Sequence, residues 1–334
     1  MSETTVLSID ELQLEFPIYG GSVKALNRVS LQVKAGEIVG VVGESGSGKS
    51  VTAMMTLRLL AEEGYRVTGG SLEMLGTDVL NASERQMRQL RGARVSMIFQ
   101  EPMSALNPTR KIGRQMCEVI RLHQRLSASA ARYKAIQLLQ EMQIADAQRV
   151  MERYPFELSG GMRQRVLIAM AFSCEPELII ADEPTTALDV TVQRQVLRLL
   201  QQKARASGTA VLFITHDMAV VSQLCDRVYV MYAGHVIESG ATANVIEHPS
   251  HPYSIGLLLA APERAEPRSL LQAIPGTVPN LSALPPGCAF SNRCRHADAQ
   301  CRHTPRLTPL VAEPSQRVAC WHPQSVDLEV QNER

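Results

Sequence analysis

Hydrophobic and polar residues alternate along the start of the chain. The apolar positions are Val6, Leu7, Ile9, Leu12, Leu14 and Phe16, and then Val29, Leu31 and Val33. Such alternation is typical of strands that bury one face, and the intervening Tyr19-Gly20-Gly21 is typical of a turn. The pattern therefore predicts antiparallel strands joined by a turn.

Three continuous apolar runs follow, over residues 37–42, 176–182 and 209–215. Each has the length of a buried strand. The first is followed by a helical pattern from residue 50, and a second helix is predicted over 192–206 between the other two runs. Strands that alternate with helices predict an α/β fold with a mostly parallel core sheet.

The regions around these runs have a different composition. Residues 80–150 are rich in Arg, Gln, Met, Leu and Ala with apolar residues at helical spacing, whereas prolines accumulate after about residue 248. We therefore expect a main domain over residues 1–245, with a helical subdomain at about 80–172. A small, loop-rich accessory domain is expected over 246–334.

Composition limits the function classes. The chain has 334 residues, a formal net charge of +1 and 45% hydrophobic residues. These values are typical of a globular protein with a full core. They show no large excess of positive charge of the kind that binds nucleic acid. There is no apolar run long enough to span a bilayer and no signal-like N-terminus, so a cytosolic location is expected. The odd count of seven cysteines argues against a disulfide framework.

The segment Gly43–Ser50, Gly-Glu-Ser-Gly-Ser-Gly-Lys-Ser, matches the phosphate-binding loop pattern G-x-x-x-x-G-K-[ST]. It lies between a predicted strand and a predicted helix, which is the context that makes the motif specific. Glycines let the backbone N–H groups surround phosphate oxygens, and the helix N-terminus adds a positive dipole end. Lys49 is expected to contact the β and γ phosphates, and Ser50 to bind Mg²⁺.

Polar residues follow other predicted strands at the edge where α/β sheets bind ligands. Asp182 is expected to hold Mg²⁺, and Glu183 to orient the attacking water. Alternatively, the two could cap the next helix. His216 could contact the γ-phosphate, and the Gln100 amide could bind Mg²⁺ or water, although a lone His or Gln carries little signal.

A second glycine motif occupies Leu158–Gln164, Leu-Ser-Gly-Gly-Met-Arg-Gln. Ser159 is a natural N-cap residue, and the following helix N-terminus would offer free N–H groups to an anion. A second phosphate site in a chain with one phosphate-binding loop suggests that it serves a nucleotide on another subunit. A closed dimer would then bury two nucleotides between facing half-sites.

Four cysteines cluster in the proline-rich tail with the spacing C-x5-C-x6-C-x18-C, at Cys288, Cys294, Cys301 and Cys320. Metal binding can replace hydrophobic burial in so small a segment. Four thiolates suit an iron–sulfur cluster or tetrahedral zinc. Zinc sites usually show paired C-x2-4-C knuckles, which are absent here, so the spacing is less typical of zinc, but both groups stay open at this point.

Together these motifs resemble those of ABC-type ATP-binding subunits, in the family's order and spacing. The resemblance covers roughly residues 6–245 and implies the ABC ATPase form of the P-loop NTPase fold. It implies ATP hydrolysis with Glu183, His216, Gln100 and Lys49 in catalytic roles, and Mg²⁺ at Ser50, Gln100 and Asp182. The nucleotide-binding positions that it implies are Phe16 (stacked on adenine, with Tyr19 as the second candidate), Gly43, Glu44, Ser45, Gly46, Ser47, Gly48, Lys49, Ser50, Val51, Gln100, Ser159, Gly160, Gly161, Gln164, Asp182 and Asp189.

Within that family the chain resembles the dipeptide and oligopeptide importers, through the segment Gln100–Pro108 and through the tail with its four cysteines. Those members carry an iron–sulfur cluster, so a [4Fe-4S] group on Cys288, Cys294, Cys301 and Cys320 is implied. Segments 152–158 and 203–209 are similar to those of the members that import D,D-dipeptides.

The resemblance also implies the partners. They are a second ATPase subunit (identical or related), two membrane permease subunits and, indirectly, an extracytoplasmic peptide-binding protein. The chain would lie on the cytoplasmic side of the bacterial inner membrane, as a peripheral subunit. The alternative is a soluble ABC ATPase that acts on nucleic acid or the ribosome. It is disfavoured because no coiled coil, tandem cassette or basic patch is evident.

Overall fold

The computed structural model of the chain describes residues 4–186, 188–260 and 273–324. Its residues form two compact units. The helical unit contains residues up to Val6, Val33–Glu37 and Asn81–Phe213. The loop unit, named for the phosphate-binding loop, contains Leu7–Gln32, Ile38–Leu80 and the residues from Ile214 onward.

The strands are β1 (Thr5–Ile18), β2 (Gly21–Lys34), β3 (Ile38–Val42), β4 (Arg66–Met74), β5 (Thr77–Asp78), β6 (Val95–Ile98), β7 (Leu178–Asp182), β8 (Ala210–Thr215), β9 (Arg227–Tyr232), β10 (His235–Ala241), β11 (Thr308–Pro309) and β12 (Arg317–Val318). The α-helices are α1 (Lys49–Thr56), α2 (Glu84–Leu90), α3 (Pro102–Ala105), α4 (Ile112–Gln124), α5 (Ala128–Glu141), α6 (Ala147–Val150), α7 (Gly160–Ala171), α8 (Val190–Ser207), α9 (Met218–Leu224), α10 (Thr242–Glu247) and α11 (Pro252–Leu259).

The helical unit combines helices with the neighbouring strands β8, β7 and β6. β6 and β7 are parallel, and every residue of β7 is buried. Helix α8 is longer than the predicted 192–206 at both ends. The Asp189 side chain accepts a hydrogen bond from the Val192 N–H at its start, and Gly208 ends it in a left-handed conformation. The predicted helix over 192–206 is therefore confirmed.

The loop unit contains an antiparallel sheet in the order β2-β1-β4-β5. The predicted hairpin of β1 and β2 is confirmed, whereas β4 and β5 were not predicted because glycines interrupt their pattern at Gly69 and Gly70. A second set of strands has the order β11-β12-β10-β9-β3, in which β3 and β9 are parallel and the other pairs antiparallel. β3 is buried throughout and leads directly to the phosphate-binding loop.

The chain after α10 is joined to this second sheet. Two residues of β12, Arg317 and Val318, pair with β10. The fully buried Glu238 of β10 accepts hydrogen bonds from the N–H groups of Ser250 and His251, at 2.7 and 3.0 Å, and from Gln316 Nε2 at 2.8 Å. A buried carboxylate with three donors ties the tail to β10. None of the helices in the described ranges combines the length and the hydrophobicity that a transmembrane span requires.

Candidate nucleotide and metal sites

The phosphate-binding loop connects β3 to α1 in the loop unit. Helix α1 begins at Lys49 after Gly48, and no side chain caps its N-terminus. The Lys49 ammonium is buried and donates to the carbonyl oxygens of Gly43 and Glu44, at 2.8 and 2.9 Å, and to Ser47 Oγ at 3.4 Å. The loop therefore encloses a positive charge beside an uncapped helix N-terminus, which is an arrangement that attracts phosphate.

Two glycines of this loop have neighbours too close for a side chain. A Cβ on Gly43 would lie 2.1 Å from the Met231 carbonyl oxygen. A Cβ on Gly48 would lie 2.7 Å from the Ala25 carbonyl oxygen, and Gly48 has a φ of +99°. Both contacts are with backbone, which cannot move aside easily, so glycine is required at these positions.

The carboxylate pair lies at the end of β7 in the helical unit. Asp182 is 4% exposed, and Glu183 adopts a φ of +45°, which is uncommon for a residue with a side chain. Glu183 Oε2 accepts hydrogen bonds from Thr186 Oγ1 at 2.9 Å and from Gln100 Nε2 at 3.3 Å. The structure thus brings together Gln100 and Glu183, two of the predicted catalytic residues, and adds Thr186 as a donor to Glu183, a contact that the sequence did not predict.

The second glycine motif forms the start of α7, also in the helical unit. Ser159 is its N-cap, with Oγ accepting from the Met162 N–H at 3.3 Å. A cavity of about 460 Å³ lies against this helix start, and Ser159, Gly160, Gly161 and Asp189 are among its lining residues. The exposed N–H groups and the cavity are suited to an anionic ligand.

A neighbouring cavity of about 270 Å³ connects this motif with the segment after β6. It is lined by Gln100, Met103, Gly160 and Gln164, among others. Gln164 is 1% exposed, and its Nε2 has no hydrogen-bond partner among the described residues. A buried amide donor without a partner is costly, so this group is available to a ligand.

The remaining predicted residues have less distinctive surroundings. Phe16 is half-buried near the end of β1, and His216 is exposed after β8. Asp189 caps α8 through a bond of 3.0 Å from the Val192 N–H, which gives it a structural role in addition to the predicted one.

The four clustered cysteines meet in the loop unit. Cys288, Cys294, Cys301 and Cys320 are free thiols that line one small cavity of about 10 Å³. Burial raises the pKa of Cys288 and Cys294, and it raises the pKa of Cys320 to about 11. Neutral thiols packed together gain little, whereas a metal would deprotonate them and join them, so the donor set fits a thiolate-bound group.

His251 lines the same cavity. Its Nδ1 accepts a hydrogen bond from the Tyr253 N–H at 3.0 Å, and burial lowers the pKa of His251 to about 3. The ring is therefore neutral with its proton on Nε2. That buried Nε2–H has no partner among the described residues, so it is a spare donor for a metal-bound sulfur.

A second set of ligand atoms lies beside the cysteines. Asp298, Cys301 and His322 are the only group of three or more His, Cys, Asp or Glu ligand atoms within 4.8 Å of one another in the described ranges. His322 Nε2 is 3.0 Å from Asp298 Oδ1. The sequence analysis missed Asp298 and His322, because neither has a metal-binding spacing with the cysteines.

Known proteins resemble this chain over most of its length. A family model described as "ABC transporter" matches residues 26–186, and one described as "Oligopeptide/dipeptide transporter, C-terminal region" matches residues 237–301. The probable D,D-dipeptide transport ATP-binding protein DdpD of Escherichia coli (strain K12) is 69% identical over 97% of this chain and 99% of its own length. The chain belongs to the ABC transporter ATP-binding proteins of the oligopeptide/dipeptide family.

Another relative and a solved structure also belong to the ABC ATP-binding proteins. The oligopeptide transport ATP-binding protein OppD of Salmonella typhimurium (strain LT2) is 46% identical over 95% of the chain and 94% of its own length. Among solved structures, the dimeric post-hydrolysis state of the ATP-binding cassette MJ0796, bound to ADP and Pi, matches with a TM-score of 0.63. The two are 25% identical, over 71% of this chain and 98% of that one. The predicted ABC ATPase fold is confirmed.

Proposed function

We propose that the chain is the ATP-hydrolysing subunit that powers import of dipeptides or oligopeptides through a membrane ABC transporter. The observation that carries the proposal is full-length similarity to transport ATP-binding proteins, combined with an intact phosphate-binding loop whose Lys49 and Gly48 have the surroundings that phosphate binding requires. The alternative of an ATPase acting on nucleic acid or the ribosome has no specific observation in its favour.

The individual roles follow from the chemistry of each side chain. The phosphate-binding loop, Gly43–Val51, binds the phosphates, and Ser50, Gln100 and Asp182 hold Mg²⁺. Phe16 stacks on the adenine. Glu183 orients the attacking water, and its hydrogen bonds from Gln100 and Thr186 support a role as a positioned carboxylate.

The second glycine motif serves a nucleotide on a partner ATPase subunit. Ser159, Gly160, Gly161 and Gln164 contact that nucleotide, and Asp189 lies beside it. His216 supports the transition state on its own subunit. The cavity at the start of α7 and the buried Gln164 amide without a partner among the described residues support this assignment. Closure of the dimer then changes the access of two membrane permease subunits, because ATP favours the closed state. The chain works at the cytoplasmic face of the bacterial inner membrane.

The four cysteines hold a [4Fe-4S] cluster. Their shared cavity and the spare Nε2–H of His251 support a thiolate-bound group. When bound, such a cluster would cross-link the four cysteines and supply electron-transfer capacity.

The alternative metal is zinc, either on the four cysteines or on Asp298, Cys301 and His322. The second placement is favoured by one specific observation, the close approach of these three ligand atoms. Metal analysis of protein purified without oxygen separates the two proposals. Iron with acid-labile sulfide supports the cluster, and one zinc per chain with no iron supports the alternative.

The transported substrate class is tested with the intact transporter. The chain is co-purified with its permease and partner subunits and reconstituted in vesicles, and ATP hydrolysis is measured with the binding protein and candidate peptides. D-alanyl-D-alanine should stimulate hydrolysis and enter the vesicles if the similarity to DdpD extends to the cargo. Stimulation by ordinary L-peptides alone would favour general oligopeptide import, and stimulation by nucleic acid would contradict the proposal.

A further inference from the structure

The second residue of the phosphate-binding loop, Glu44, is held by the C-terminal region. Arg293 Nη1 donates to Glu44 Oε2 at 2.8 Å, and Arg293 Nη2 donates to Glu44 Oε1 at 3.3 Å. The Glu44 backbone N–H donates to the Tyr253 hydroxyl at 2.8 Å. Both the carboxylate and the backbone of this loop residue therefore depend on residues that lie more than 200 positions later.

Arg293 is itself fixed in one orientation. Its side chain is 5% exposed, its Nε donates to the Pro275 carbonyl at 2.8 Å, and its Nη1 lies 3.3 Å from the Tyr232 hydroxyl. The guanidinium also lies 5.8 Å from the ring centre of Tyr232 and 5.9 Å from that of Phe290. Burial acts against its charge, but the hydrogen bonds from Arg293 to Glu44 and Tyr232 outweigh this and raise the pKa of Arg293. A partly buried, bidentate ion pair of this kind is directional.

The ion pair is connected to the four-cysteine site by the chain itself. Arg293 and Phe290 lie in the short segment between Cys288 and Cys294, and both cysteines line the small cavity. Phe290 packs against the Tyr253 ring, with centroids 5.5 Å apart. A metal group bound to Cys288 and Cys294 would fix both ends of the segment and so the position of Arg293.

We propose that Arg293 and Tyr253 are positioning residues for the phosphate-binding loop, and that metal binding at the four cysteines sets nucleotide affinity through them. The inference rests on the proposed ATP binding and on the proposed metal site. Its physical basis is preorganisation. The Glu44 carbonyl oxygen accepts a hydrogen bond from Lys49 Nζ at 2.9 Å, so a loop held at Glu44 also holds the lysine that meets the phosphate. A loop ordered before binding loses less entropy when the ligand arrives.

A purely structural role predicts something different. If the ion pair only attaches the tail, its loss lowers the melting temperature and leaves the nucleotide dissociation constant unchanged in the protein that stays folded. The two roles are separated by measuring affinity and local order on the folded, full-length chain rather than activity alone.

The first experiment compares Arg293→Gln, Arg293→Lys and Tyr253→Phe with Arg295→Gln as the matched control. Arg295 also adjoins Cys294, but it is exposed and bonds to His296. The Kd for a fluorescent ATP analogue should rise about tenfold in Arg293→Gln, equivalent to about 1.4 kcal/mol. The Kd should rise less in Arg293→Lys, because this variant keeps the positive charge. In the control Arg295→Gln the Kd should stay within about twofold of the wild-type value, as expected for a surface substitution.

The second measurement is hydrogen exchange of the Glu44 amide without nucleotide. Tyr253→Phe removes its acceptor and keeps the ring, so this amide should exchange faster than in the wild type. Faster exchange in Arg293→Gln as well would support the proposal. Wild-type affinity and wild-type exchange in both variants would overturn it.

The role of the metal is tested with the same two measurements, the nucleotide Kd and the hydrogen exchange of the Glu44 amide. Removing the metal by chelation, or Cys294→Ser, should raise the nucleotide Kd of the wild type, whereas in Arg293→Gln it should cause little further change because the connection is already broken. If metal removal raises the nucleotide Kd by the same factor in the wild type and in Arg293→Gln, the coupling is contradicted. A metal-free wild type that binds ATP as tightly as a metal-loaded one would refute the coupling while leaving the proposed ATPase function standing.

Discussion

Glu183 has an unusual conformation for a residue with a long side chain. Its positive φ and its hydrogen bonds from Gln100 and Thr186 hold the carboxylate in one orientation at the end of β7. Strain that the surroundings maintain at such a position is typical of functional sites. The side chain is therefore placed for a directional task rather than for packing.

The Glu183→Gln variant tests this task. Hydrolysis should fall at least about 100-fold, since a positioned general base contributes about 10²–10⁴ in rate. ATP binding should persist, and an ATP-bound dimer should accumulate, as measured by light scattering. Glu141→Gln is the matched control, because Glu141 pairs with Lys203 at 2.6 Å on the same unit. Undiminished hydrolysis in Glu183→Gln would show that Glu183 is not a catalytic residue.

Gly48 and Gly46 give a graded test of the phosphate-binding loop. Both have positive φ, but a Cβ on Gly48 meets the Ala25 carbonyl oxygen, whereas a Cβ on Gly46 meets nothing within 4 Å. We expect Gly48→Ala to weaken ATP binding more than Gly46→Ala, by roughly 10-fold or more, since an added methyl group that clashes with packed neighbours costs about 1–3 kcal/mol. Isothermal titration calorimetry measures both. Equal effects would show that conformation alone, and not the contact with Ala25, governs the loop.

At the scale of elements, helices α7 and α8 approach closely at Gly161. A Cβ on Gly161 would lie 2.5 Å from Val192 Cγ1, so the second glycine of the motif is needed for packing as well as for an open helix start. Gly161 thus lies both at the contact between the two helices and in the lining of the cavity of about 460 Å³.

Gly161→Ala should therefore lower stability by about 1–3 kcal/mol through overpacking, and it should also reduce hydrolysis. Adding Val192→Ala makes room for the new methyl group and should restore most of the stability, as measured by chemical denaturation. If the double variant is no more stable than Gly161→Ala, contact with Val192 is not the cause.

The sequence predicted some of these elements and contacts and not others, for physical reasons. Local signals were sufficient for the buried runs that became β3, β7 and β8 and for the Ser159 cap, because burial and capping depend on neighbouring residues. The bonds from Arg293 and Tyr253 to Glu44 could not be predicted, since they join residues far apart in the chain. Asp298 and His322 were missed for the same reason, and β4 because its glycines resemble a loop.

At the scale of the whole molecule, the metal group proposed for the four cysteines would let a segment with little core of its own keep a defined structure. Cys294→Ser should remove most of the bound metal and the visible absorbance of a cluster, and it should lower the melting temperature, because metal binding contributes folding free energy. Cys174→Ser is the control, since Cys174 belongs to the helical unit and is not among the residues that line this cavity. Full metal content in Cys294→Ser would exclude this cysteine as a ligand.

The pairing of β12 with β10 has a consequence for shortened forms of the protein. A chain cut after α10 would lose β12 together with the Gln316 donor to Glu238, and one side of β10 would be left with open N–H and C=O groups. An open strand edge recruits strands from neighbouring molecules. Such a fragment should self-associate into insoluble material, even though it would still contain every ATP-contacting position assigned above.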